Sequence, residues 1–166
     1  MAIAFKKQTR CDFEWLRKIW EDKDVNQCHK AHILQMCLEK YSKFKQLSEG
    51  QPITNDHEYV TKVLPRLFEK RYKTNYPSQK QFKIVFGKYR DFCNKVDELT
   101  PSLSRKPPSN CEYPWEITDV NKQNPRSYSP CTTTFSVVAD PSLAPIYRKI
   151  LAMIDQDTKA LPSPVL

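Results

Sequence analysis

Apolar residues recur at helical spacing in five stretches of the chain, separated by short polar breaks rich in Asn, Pro and Ser. Phe13, Leu16 and Trp20, with Trp15 and Ile19 beside them, predict a first helix over about residues 10–22. Thr9 and Asp12 have the spacing of a capping box at its start. Ile33, Leu34, Cys37, Leu38, Tyr41 and Phe44 form the inner face of a second helix, from about residue 26 to 47. The run from Ser48 through Gly50 to Pro52 breaks it.

Asn55 and Glu58 have the form of a second capping box, opening a helix through about Tyr72 with Val60, Val63, Leu64, Leu67 and Phe68 inside. Pro65 lies within that run and is expected to kink it, because proline lacks an amide and crowds the carbonyl four residues back. After a turn at 73–77, Ser78 and Gln81 make a third capping box. The longest unbroken stripe in the chain follows it, with Phe82, Val85, Phe86, Tyr89, Phe92, Cys93 and Val96 defining a helix to about Leu99.

Beyond Thr100 the composition shifts to Pro, Ser and Asn, which predicts an irregular linker over about 100–141. Tyr113 and Trp115 are a candidate aromatic anchor within it, and Thr132–Val138 reads as one short strand. Ser142 as cap and Pro145 in the first turn announce a final helix to about Thr158, striped by Ile146, Ile150, Met153 and Ile154. The expected fold is therefore mainly α. A three-helix bundle of helix-turn-helix type carries an additional N-terminal helix within 1–99, and residues 142–166 form a short C-terminal helix and tail.

Charge sharpens this picture. The net charge is +8, and residues 62–106 hold twelve Lys and Arg against four acids, which accounts for the whole excess. So concentrated a field favours a polyanion, although a solvated Lys-rich surface gives the same count. On the helix after Ser78, the stripe fixes the outward side. Lys80, Ile84, Gly87, Asp91 and Asn94 face away from it, flanked by Lys83 and Arg90 on one edge and Lys88 and Lys95 on the other. Arg71 and Lys73 add charge at the preceding turn. Such a helix fits a major groove, where Lys and Asn reach base edges and outer cations neutralise phosphates. Gly87 is a poor helix former in an interior position, which suits close backbone approach to a ligand, and Ile84 could touch a thymine methyl.

The residues from Ile33 to Gly50, then Tyr59, Val63, Leu64 and Phe68 to Tyr76, then Ser78, Gln81, Lys88, Tyr89 and Phe92 together resemble a Myb/SANT-like domain, with the MADF domain a close relative. The resemblance covers about residues 28–99. It implies a three-helix fold whose third helix reads DNA, with Lys80, Lys83, Ile84, Gly87, Lys88 and Asn94 facing the groove. The family commonly places Trp in each helix core, whereas Tyr59 and Phe86 stand here, and Trp15 and Trp20 lie in the preceding helix. Relatives of this fold also bind histone tails or partner proteins, so the fold alone does not name the ligand.

Other chemistry is excluded or weak. Only two glycines occur, Gly50 and Gly87, which rules out P-loop and Rossmann phosphate cradles. No metalloprotease or nucleophile-elbow motif is present, and Asp155 and Asp157 are expected on a solvated helix end, so the chain is read as a binding protein and not an enzyme. Cys28, His29 and His32 lie close together, but only Cys11 or Cys37 could complete four zinc ligands from nearby sequence, and neither a metal nor a cofactor is expected. The six cysteines form no C-x-x-C pair, and the N-terminus has no apolar run suited to secretion or membrane insertion. Reduced thiols in a nuclear protein follow as the expectation. Two other partners compete with duplex DNA. RNA would use the same charge with Tyr72 and Tyr76 as stacking platforms. A protein partner would dock on Ile146, Ile150, Met153 and Ile154, unless that stripe packs against the chain's own core, which is the commoner outcome.

Overall fold

The computed structural model describes residues 1–53, 59–99, 115–117, 126–128, 130 and 134–159. Six α-helices dominate: α1 (Ala2–Trp20), α2 (Gln27–Ser48), α3 (Tyr59–Tyr72), α4 (Gln79–Asp97), α5 (Ser136–Ala139) and α6 (Ala144–Thr158). The fold is a mainly α helical bundle, with α1 packed along α2, α3 along α4, and α2 joining the two pairs through contacts with α3 and α4.

Helix α1 begins well before the expected start. Ala2, Ala4, Lys6, Lys7 and Gln8 are good helix formers, and Phe5 packs partly buried against the core. Thr9 is consequently inside the helix. It is fully buried, and its hydroxyl donates to the Phe5 carbonyl one turn back at 2.7 Å rather than capping a new helix.

The centrality of α2 explains its wide apolar face, with Leu34, Cys37, Leu38 and Tyr41 wholly buried. It stops where Gly50 adopts a positive φ of 74°. The Gln51 amide then donates to the Gln46 carbonyl (3.0 Å) and the Gly50 amide to that of Leu47 (3.1 Å), a Schellman stop that only a residue tolerant of the left-handed region makes cheaply.

Helix α3 runs through Pro65, which is buried. The expected capping box at Asn55 and Glu58 lies outside the described residues. A 3₁₀ turn at Lys73–Asn75 leads to Ser78, whose side chain accepts from the Gln81 amide at 3.2 Å, the N-cap expected for α4. The inner face of α4 is also as expected, with Phe82, Tyr89, Phe92, Cys93 and Val96 buried. Phe68 of α3 stacks on Tyr89 with ring centroids 4.0 Å apart, joining the two helices.

The C-terminal part departs most from expectation. Within the expected irregular linker, Trp115–Ile117 (β1) pairs antiparallel with Arg126–Tyr128 (β2), Trp115 opposite Tyr128. Residues 136–138, expected to end a strand, belong instead to the one-turn helix α5. Val137 and Val138 favour a strand only where a neighbouring strand pairs with them. Here Phe135 and Val137 are instead buried in the core, and α5 packs on α2 and α4. The Phe135 amide donates to Gln27 Oε1 at 3.0 Å, tying this segment to the first turn of α2.

Ser142 does not cap α6. Asp140 accepts the Ser142 amide at 2.9 Å, opening a 3₁₀ turn at Pro141–Leu143 that leads into the helix, with Pro145 in its first turn. Ile146, Ile150, Met153 and Ile154 are buried in the same apolar cluster as the faces of α1–α4. Helix α6 is thus part of the bundle, and Trp20 stacks on its Tyr147 with ring centroids 3.9 Å apart.

Candidate nucleic-acid interface

Because Phe82, Tyr89, Phe92 and Val96 fix α4 on α3 and the central α2, the opposite side of α4 must face outward. Lys80, Lys83, Ile84, Gly87, Lys88, Arg90, Asp91 and Asn94 are all exposed there. Ile84 is 56% exposed, an uncommon state for a large aliphatic side chain in the middle of a charged face. A Cβ built on Gly87 would meet nothing within 4 Å, so the glycine is not demanded by packing inside the chain.

The cations on this face differ from those of α2 and α3. On α2 and α3 most basic side chains are matched: Lys40 with Asp12 (2.7 Å), Lys43 with Glu39, Arg66 with Glu49, and Lys73 with Glu69 (3.1 Å). On α4, Lys80, Lys83, Lys88 and Arg90 have no acidic partner within ion-pair distance among the described residues. Among the described residues uncompensated cations also occur on α1, at Lys7, Arg17 and Lys18, but on α4 four of them share the outward face, where Asp91 is the acid.

Three of the residues expected at this surface are engaged elsewhere. Arg71 turns inward to α6. Its guanidinium donates to Asp157 Oδ1 and, at 3.3 Å, to the Met153 carbonyl. It is a tether between helices and is not available to a phosphate. Lys95 is half-buried and lies 3.9 Å from Asp140, at the edge where α5 covers α4. Lys73 is exposed but already paired with Glu69.

The expected docking stripe of α6 is corrected by its burial. Ile146, Ile150, Met153 and Ile154 are at most 3% exposed, so they line the core and leave nothing to offer a partner. Tyr72 and Tyr76 are half-buried rather than free platforms.

The two acids expected on a solvated end of α6 are in fact anchors. Asp155 lies 2.8 Å from Arg10 of α1 and 2.6 Å from Lys159. Asp157 receives the Tyr41 hydroxyl at 2.7 Å, Lys45 at 3.0 Å and Arg71. Burial pushes the Asp157 carboxyl up, but the hydrogen bonds from Arg71, Tyr41 and Lys45 outweigh it and hold the group below the usual carboxylate range. The signal was present in the sequence. Asp157 stands four residues after Met153 and seven after Ile150, on the edge of the buried stripe.

Cys37 and Cys93 are wholly buried, and burial pushes both thiols far above their ordinary range, so they pack as small apolar groups. Cys28 is buried as well, while His29 points outward. Among the described residues no three His, Cys, Asp or Glu side chains gather as metal ligands, and no helix is long and apolar enough to cross a membrane. No protein-family model, curated protein or solved structure matches the chain.

Proposed function

We propose that the chain is a non-enzymatic binding protein that grips double-stranded DNA with the outer face of α4, in a nuclear, transcriptional or chromatin setting. The observation that carries this reading is the set of four cations, Lys80, Lys83, Lys88 and Arg90, without acidic partners among the described residues and arrayed around Ile84 and Gly87 on a helix packed from behind. From Lys80 to Asn94 the face runs roughly 21 Å at 1.5 Å per residue. A helix of that kind enters a major groove, with Lys and Arg neutralising phosphates, Asn94 within reach of an adenine edge and Ile84 suited to a thymine methyl. The gap at Gly87 lets the helix backbone approach the groove floor. The Myb/SANT-like resemblance of residues 28–99 supports the same assignment, with α2, α3 and α4 as its three helices.

Duplex DNA, single-stranded DNA and RNA, titrated across salt concentrations, test this reading. If four phosphates are neutralised, the log–log salt slope for the duplex is roughly −3 to −4. Replacing Lys80, Lys83 and Lys88 together by Glu abolishes duplex binding without lowering thermal stability, because none of the three has an acidic partner to lose among the described residues. Equal binding of the triple variant and the parent at low salt would defeat the proposal. Preference for single strands or RNA would move the ligand class, and retention of a protein partner through high salt would point to an adaptor role.

A further inference from the structure

Helix α6 touches the α3–α4 connection at its sharpest point. The Lys149 ammonium donates to the Tyr76 hydroxyl at 2.6 Å. It also lies 4.9 Å from the centre of the Tyr76 ring and 5.4 Å from that of Tyr72. Tyr72 ends α3, and Tyr76 follows the 3₁₀ turn that separates it from α4. The Tyr76 ring packs on Phe82 with centroids 5.6 Å apart, and Phe82 stacks on Phe86 at 5.3 Å. Phe82 is in the first turn of α4, on its buried side, one residue before Lys83 and two after Lys80. A continuous line of contacts therefore runs from one ammonium on α6 to the amino-terminal end of the basic face.

We infer that Lys149 is a positioning residue for that face: it locks the Tyr72–Tyr76 turn and so fixes where Lys80, Lys83 and Ile84 point. The inference rests on the reading of α4 as the binding surface. The chemistry suits the role. An ammonium that donates to the Tyr76 hydroxyl and lies beside the Tyr72 ring is directional in a way that an apolar contact is not. Arg71, one residue before Tyr72, is gripped by α6 as well, through Asp157 and the Met153 carbonyl, so α3 enters the turn already held. Lys149 supplies the hold on the far side of the turn, where Pro77 and Ser78 lead into α4.

The test uses the full chain with Lys149→Met, which keeps the length but loses charge and donor, and Lys149→Arg, which keeps both. Amide hydrogen exchange in the free protein is read first. Lys149→Met should speed exchange across residues 74–83 by roughly three- to tenfold, as loss of a charge-assisted hydrogen bond predicts, and leave α1 and α2 unchanged. Lys149→Arg should restore the parent rate. Duplex affinity is read second. Lys149→Met should weaken it by a similar factor at an unchanged salt slope, because no phosphate contact is removed. Unchanged exchange in Lys149→Met overturns the inference. So does a salt slope that falls by about one, since that marks Lys149 as a phosphate contact in its own right. If the parent binds no duplex, the proposed function fails while the exchange measurement still decides whether Lys149 holds the turn.

Discussion

Gly87→Ala separates two explanations of a glycine in the middle of α4. The backbone there is ordinary helix, and the added methyl would meet nothing within 4 Å. Alanine removes the conformational freedom that glycine forfeits on folding, so the substitution should stabilise the protein by about 0.5–1 kcal/mol. In a chain of this size that is a rise of about 2–4 °C at the top of that range. If the face is merely solvated, duplex affinity is unaffected. If the backbone at Gly87 approaches the groove floor, the methyl intrudes at the closest point and affinity falls about tenfold, or 1.4 kcal/mol. Thermal unfolding and a fluorescence-anisotropy titration on the same preparation give both numbers. The expected result is opposite movement, with higher stability and weaker binding. A destabilised Gly87→Ala would refute the placement of Gly87 on an open face. A stabilised variant with parental affinity would remove the close-approach role while leaving the charge argument standing.

Other substitutions probe the frame that presents the face. Asp157→Asn leaves Arg71 and Lys45 beside a neutral group, and should cost about 2 kcal/mol in denaturant unfolding, less than a fully buried pair because both cations keep some contact with water. The carboxyls of Asp157 and Asp155 both lie below their ordinary range, the latter held by hydrogen bonds from Lys159 and Arg10. Their contribution is therefore complete above the usual carboxylate range, at about pH 4, and is lost as pH falls through the lower folded-state values. Acid unfolding followed by circular dichroism should show this loss, and Asp157→Asn should flatten it. Ile150→Ala empties a wholly buried site between α6 and the bundle, with an expected cost of about 2–5 kcal/mol by chemical denaturation. Ser78→Ala removes the N-cap of α4 and should cost about 1 kcal/mol, read the same way.

The legible parts of the fold were those where local chemistry and burial agree. Helix α4 shows this best: Ser78 supplies a cap, the stripe from Phe82 to Val96 keeps one period, and the structure follows both. Where one residue can serve two local structures, tertiary contacts decided. Thr9 can cap a helix or bond backwards within one, and the packing of Phe5 against the core extended the helix back past it. Val137 and Val138 have strand propensity, but Phe135 and Val137 found a core to enter instead of a strand to pair with. Charge followed the same pattern. The positions of Lys80, Lys83 and Lys88 come from periodicity alone. The inward turn of Arg71 depends on Asp157, more than 80 residues later, and no local rule couples the two.

The way α6 completes the bundle also has a consequence for synthesis. Helix α6, which emerges after α1–α4, covers apolar surface on α1 through Tyr147 on Trp20 and is tied to it by Asp155 on Arg10. Until residues 144–158 have left the ribosome, α1–α4 have no Ile150, Met153 or Ile154 to close their core. A nascent chain truncated near residue 100 is therefore an open intermediate, prone to association through that bare surface. The bundle therefore closes only once residues 144–158 have emerged.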